Sequence, residues 1–210
     1  MKSPISPILI ATLLVLSGAR THAANNFVQI KLPKKVTVEL PKNWTALSRN
    51  QRVTLESTVQ SLNERIGLFD ASSDLNFGAN YFEDTGKVAA IFNIRYYPNL
   101  ELSQVDAAEA TANDIHDLDA VIQKGMEKAS IGLSSIIEWR GTKRQTINGA
   151  TVFISEYTRT PIQNNGEFCA RLVRVFRKAD SYTITISYRL PQELLLRPIC
   201  DRVIASIKNE

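Results

Sequence analysis

The 210-residue chain carries 25 basic and 21 acidic side chains, two cysteines and 44% hydrophobic residues. Lys2 and Arg20 fall in the leader described below, which leaves 23 basic against 21 acidic groups, too even a balance to indicate a nucleic-acid partner. No linker, repeat or low-complexity tract divides the remainder, whose length suits one domain with its own core.

Residues 1–23 read as a signal peptide: Lys2, the apolar run Ile8–Leu16, then small residues ending at Thr21-His22-Ala23-Ala24. The apolar run is far short of the roughly 20 residues that span a membrane. No cysteine lies near the cleavage region to carry a lipid. The expected product is one domain over 25–210, periplasmic or secreted and soluble, with no transmembrane segment left after cleavage.

Phe27–Leu32 and Lys35–Leu40 read as two short strands, with Pro33 and Pro41 fencing the second and Val36, Val38 and Leu40 alternating along it. Pro41-Lys42-Asn43-Trp44 then turns the chain toward a helix. Ser48-Arg49-Asn50-Gln51 is a capping box, followed by Leu55, Val59, Leu62 and Ile66 at helical spacing. A hairpin over 77–82 and 87–97 turns at Asp84-Thr85-Gly86. One long helix is expected from Ser103 to before Gly132, striped by Val105, Ala108, Ala112, Ile115, Leu118, Ile122 and Met126.

Strands return over 136–145 and 151–159 around Asn148-Gly149, the strongest hairpin signal in the chain. Phe168–Leu190 then supplies the hairpin about which the rest is organised. Its second arm alternates Tyr182, Ile184, Ile186 and Tyr188 with Thr183, Thr185, Ser187 and Arg189. A final helix carries Ile199, Val203 and Ile207, with Pro198 expected in its first turn. Antiparallel strands with helices after the second strand, in mid-chain and at the end give an α+β class. Several strands are apolar on both faces, so helices should cover both sides of the sheet. The expected architecture is a three-layer α/β/α sandwich around a central, mainly antiparallel sheet.

With LPKKVTVELPKNWTAL (32–47), NGATVFISEYT (148–158), SYTITISYRL (181–190) and VIASIKN (203–209), the chain resembles the PsbP-like family. That family includes photosystem extrinsic subunits, a Ran-binding eukaryotic protein and many exported bacterial proteins. The pattern covers nearly all of the mature chain, but consists of strand order and the Pro41-x-x-Trp44 turn rather than catalytic residues. The resemblance implies an α/β/α sandwich and a non-enzymatic module acting through protein contacts, and it assigns no functional residue.

No catalytic constellation stands out. His116 is the single histidine after the leader, and in Asp114-Ile115-His116-Asp117-Leu118-Asp119 only Asp114 and Asp117 share a helix face. That stretch reads as a solvated acidic helix rather than a metal site. Asp70-x-Ser72-x-Asp74 begins like a calcium loop but lacks its glycine and its bidentate acid. Gly132-Leu133-Ser134-Ser135-Ile136 lacks the last glycine of a nucleophile elbow. There is no phosphate loop and no cofactor motif.

Three features stay open. Cys169 and Cys200 either form a disulfide, in keeping with an oxidising compartment, or are buried thiols. Arg171, Arg174, Arg177 and Lys178 either mark a partner-binding patch or are charges that guard a rim strand. Tyr96, Tyr97, Trp139 and Tyr157 either line a ligand seam between sheet and helix or belong to the core. The leading expectation is an exported, non-catalytic adaptor or accessory factor that binds another envelope protein. A carrier of a small apolar or anionic ligand is the alternative, and a hydrolase the residual.

Overall fold

The computed structural model describes residues 26–32, 35–65, 74–98, 102–130, 134–160, 166–178 and 180–209. The signal-peptide segment, Ile66 of the first helix stripe, Asp70 and Ser72 of the calcium-like loop, and Gly132-Leu133 lie outside the described residues.

Ten strands and four helices follow in the order β1 (Phe27–Leu32), β2 (Val36–Pro41), β3 (Thr45–Ala46), α1 (Arg49–Arg65), β4 (Asp74–Phe82), β5 (Val88–Pro98), α2 (Gln104–Glu109), α3 (Ala112–Ser130), β6 (Ile136–Ile147), β7 (Ala150–Arg159), β8 (Phe168–Phe176), β9 (Asp180–Arg189), α4 (Glu193–Ala205) and β10 (Lys208–Asn209). Seven strands form one sheet in the order β3-β4-β5-β9-β8-β7-β6, and every neighbouring pair in it is antiparallel. β1, β2 and β10 form a separate small sheet rather than extending the large one. That small sheet and α4 cover one face of the large sheet, with Val36, Val38, Leu196, Cys200 and Val203 joining β5, β8 and β9 in one core. α2 and α3 lie on the other face, where Ala107, Ile115 and Leu118 pack with Phe153 and Phe176. The α/β/α sandwich expected from the sequence is present.

β9 explains the division. Tyr182, Ile184, Ile186 and Tyr188 are all fully buried on the α4 face, as strict alternation demands. Burial of each such side chain contributes about 1.5–3 kcal/mol.

Two local expectations are corrected. The long mid-chain helix is broken at Ala110-Thr111 because the sequence carries two N-terminal caps. Ser103 and Asp106 form a capping box at α2. Thr111 and Asp114 repeat that exchange at α3, with Asp114 accepting from the Thr111 backbone at 2.7 Å. Arg144 closes the gap by donating to the Ala108 and Ala110 carbonyls. The break resets the helix face, so Ala107 is buried and Val105 is 61% exposed. Pro198 sits inside α4 rather than in its first turn, because Glu193 to Leu196 join the helix ahead of it.

Candidate functional site: a cleft between the sheet edge and α4

β6 is the outer strand of the sheet, and its path sets the site. The ladder with β7 shifts register between Trp139 and Gly141, so Arg140 is the extra residue of a bulge. Gly141 has φ of 89°, a conformation that strains any side-chain-bearing residue. At the other end of the strand, Asn148 (φ 48°) and Gly149 (φ 82°) make the expected tight turn. The Asn148 amide donates to the Ala205 and Ile207 carbonyls, at 2.9 and 2.7 Å, and so fixes the end of α4 against this hairpin.

Between β6, β7, β8 and α4 lies a cavity of about 710 Å³. Its charged lining is Arg140, Lys143, Glu156, Arg171, Arg197 and Asp201. Glu156, on β7, is the hub. It accepts from Arg171 Nε at 2.9 Å and Arg140 Nη1 at 3.0 Å, and Arg197 Nη2 lies 3.5 Å away. Arg171 also pairs with Asp201 of α4, tying the helix to the sheet. Two rim acids complete the network: Glu138 holds Arg140 at 3.0 Å, and Glu193 holds Arg197 at 2.6 Å. Lys143 is exposed and has no ion pair among the described residues.

Burial alone would lower the Arg171 pKa, but Asp201 and Glu156 overcome it and keep the guanidinium charged. Burial likewise works to raise the Glu156 pKa, but Arg140 and Arg171 hold it below its ordinary value of 4.5. With the rim acids counted, charge in the cleft is nearly balanced. It therefore offers fixed, directional N–H donors rather than a long-range positive field. One exposed apolar side chain stands next to Arg197 at the start of α4: Leu194, 97% exposed.

Cys169 and Cys200 flank the same network as free, buried thiols, so the disulfide reading is not what the structure holds. Burial pushes the Cys200 thiol up to about 12 and raises that of Cys169, so both stay protonated and unreactive at neutral pH. The two are near enough for charge on one to disfavour charge on the other.

The arginine row is not one surface. Arg171 is 6% exposed within its ion pairs. Arg174 points to the opposite face. Arg177 pairs with Asp180 at the hairpin turn, 3.3 Å away, and Lys178 follows it in the turn. Alternation separates residues 171 and 174, and the ion pairs neutralise what a count of charges takes for a patch.

The aromatic seam also divides. Tyr96 packs on Tyr182 with ring centroids 5.3 Å apart on the α4 face and donates to Asp180. Tyr97, the next residue, faces the other side. Trp139 and Tyr157 stack at 5.6 Å on the α3 face, where Trp139 Nε1 donates to Asp119 at 3.0 Å. None of the four lines the cleft. Among the described residues, no three His, Cys, Asp or Glu side chains gather as metal ligands, and no helix is long and apolar enough to cross a membrane.

Sequence reasoning selected Arg171 but missed Glu156, Asp201, Arg197, Arg140 and Lys143. The available signal was Glu156, the one acid on the side of β7 that carries Ala150, Val152, Ile154 and Thr158.

No family model and no curated protein match the chain by sequence. Among solved structures, cyanobacterial PsbP (CyanoP) from Synechocystis sp. PCC 6803 superposes with a TM-score of 0.56 at 12% identity, covering 88% of this chain and 93% of that one. The chain has the PsbP-like fold. Two further structures align at TM-scores below 0.5. LpqN of Mycobacterium tuberculosis, described as involved in cell envelope biogenesis, gives 0.46 at 8% identity over 89% of this chain and 92% of its own. The type VI secretion immunity protein TplEi of Pseudomonas aeruginosa, solved with a peptide, gives 0.44 at 8% identity over 88% and 98%. The PsbP-like fold accounts for the sheet order and the flanking helices, and leaves the cleft residues to be interpreted on their own chemistry.

Proposed function

We propose that the mature chain is an exported, non-catalytic binding protein whose cleft between β6 and α4 takes an acidic segment of a partner protein. The observation that carries this reading is the donor set of Arg140, Lys143, Arg171 and Arg197 around one cavity, with exposed Leu194 next to Arg197. Arginine forks held in place by Glu156 and Asp201 are pre-organised, so an incoming carboxylate meets donors already oriented. Lys143 supplies a charge that no acid among the described residues answers, and Leu194 gives an apolar neighbour for the same segment. The leader at residues 1–23 supports export. No nucleophile–base pair is among the cleft residues: both thiols beside it are protonated, and His116 belongs to α3 on the other side of the sheet.

The test is a photo-crosslinking residue placed at Lys143 in the source cell, with Lys87 at the far β4–β5 turn as control. A protein adduct formed at 143, absent at 87 and lost in Arg197→Glu, is the expected result. Equal adducts at both positions, or none at 143, would refute the cleft as the docking surface.

A further inference from the structure

We infer that the opposite face of the large sheet carries a second binding site, centred on Arg174, for a small oxyanion of the carboxylate or phosphate class. The register places five residues in one row across five strands of that face: Arg144, Phe153, Arg174, Thr183 and Arg95. With strands spaced about 4.8 Å apart, the outer arginines start roughly 10 Å from Arg174 on either side. Both are engaged: Arg144 caps α2, and Arg95 has an interaction of its own. Arg174 differs, with no hydrogen bond or ion pair to any described residue.

Arg171, three residues earlier, shows what a satisfied arginine looks like in this protein. It is buried and its charge is reinforced by Glu156 and Asp201. Arg174 is desolvated without an acid among the described residues, and burial lowers its pKa below the ordinary arginine value. Desolvating an uncompensated cation is unfavourable, and a bound anion would offset that cost.

The surroundings suit such an anion. Thr183 is the cross-strand partner of Arg174 on β9, and Tyr97 is close enough to bear on its charge. Arg174 keeps part of its surface open to solvent, so an ion can reach it. A planar guanidinium matches two oxygens of a carboxylate or phosphate, and Thr183 across the strand pair is a hydroxyl-bearing neighbour in the same row.

The experiment is a ¹⁵N–¹H NMR titration of the protein with inorganic phosphate and, separately, with acetate, ionic strength being held constant with chloride. Saturable shifts are expected at the amides of Val173, Val175, Thr183 and Ile184. They should persist in Lys143→Gln, which alters only the cleft, and binding should weaken at least tenfold in Arg174→Gln. Arg174→Lys keeps the charge but loses the fork, so it should fold and still bind at least fivefold more weakly, which preserves the test if the glutamine variant does not fold. Saturation by phosphate alone assigns phosphate groups, and saturation by acetate as well assigns carboxylates. No saturable shift, affinity unchanged in both Arg174 variants, or shifts confined to Arg140, Lys143 and Arg197 would overturn the site.

Discussion

Tyr182, Ile184, Ile186 and Tyr188 are fully buried under α4 and the small sheet, whereas Thr183 and Thr185, which alternate with them, are only partly buried beneath the other helix layer. The same strands thus serve two different interiors. On the α4 face a continuous apolar core supplies cohesion, and beside it the charge of Arg171 is answered by two acids. On the α2–α3 face a smaller apolar cluster around Phe153 and Phe176 shares the surface with arginines, threonines and serines. There the helices are held by specific polar contacts: Arg144 to the end of α2, and Trp139 to Asp119 of α3. Stability and recognition are divided between the faces in different proportions, and substitutions should show it.

The largest difference is expected between neighbours on β9. Ile186→Ala opens a cavity in the α4-face core and should cost about 4 kcal/mol in urea unfolding. Thr185→Ala, the adjacent residue on the other face, should stay within about 0.5 kcal/mol. Comparable losses at the two positions would erase the distinction between the faces.

Next is Glu156→Gln. Removing the hub carboxylate leaves Arg140 and Arg171 short of a partner, and about 3 kcal/mol should be lost at neutral pH. The Glu156 pKa is lowered in the folded protein from an ordinary 4.5. Its contribution is therefore present above pH 4.5 and disappears as pH falls through the lower folded value. Wild-type stability should drop on acidification below pH 4.5, and the variant should show a shallower drop. An identical acid profile in both proteins would mean that Glu156 does not organise the cleft.

A smaller effect sharpens the reading of the other face. Trp139→Phe retains an aromatic ring over Tyr157 but removes the donor to Asp119, for an expected loss of about 1.5 kcal/mol in thermal unfolding. If the Phe variant were as stable as the parent, α3 would be held by packing alone.

The sequence's periodicities made most of the fold legible. β9 alternates from Ser181 to Arg189, Asn148-Gly149 announces its turn, and Ser48 with Gln51 caps α1 through reciprocal bonds of 2.8 and 3.3 Å. The mid-chain helix was read as continuous because its apolar spacing runs across the break. The second cap, Thr111 with Asp114, was visible in the sequence but carries no weight in a periodicity argument. The cleft was much less legible. Its ion pairs join β6, β7, β8 and α4 over separations as long as that between Glu156 and Arg197, and neither a bulge at Arg140 nor the partner of a strand arginine follows from local pattern. For the same reason both sequence readings of Arg171, partner patch or rim charge, leave out the two acids that pair with it.

The most direct test of the cleft is native mass spectrometry of the protein purified gently from its own envelope extract, beside the Lys143→Glu, Arg197→Glu double variant. The account predicts a co-purifying protein mass with the parent chain, reduced at high salt and lost in the double variant while circular dichroism stays unchanged. A partner retained by the folded double variant, or a parent chain carrying no protein at all, would contradict it.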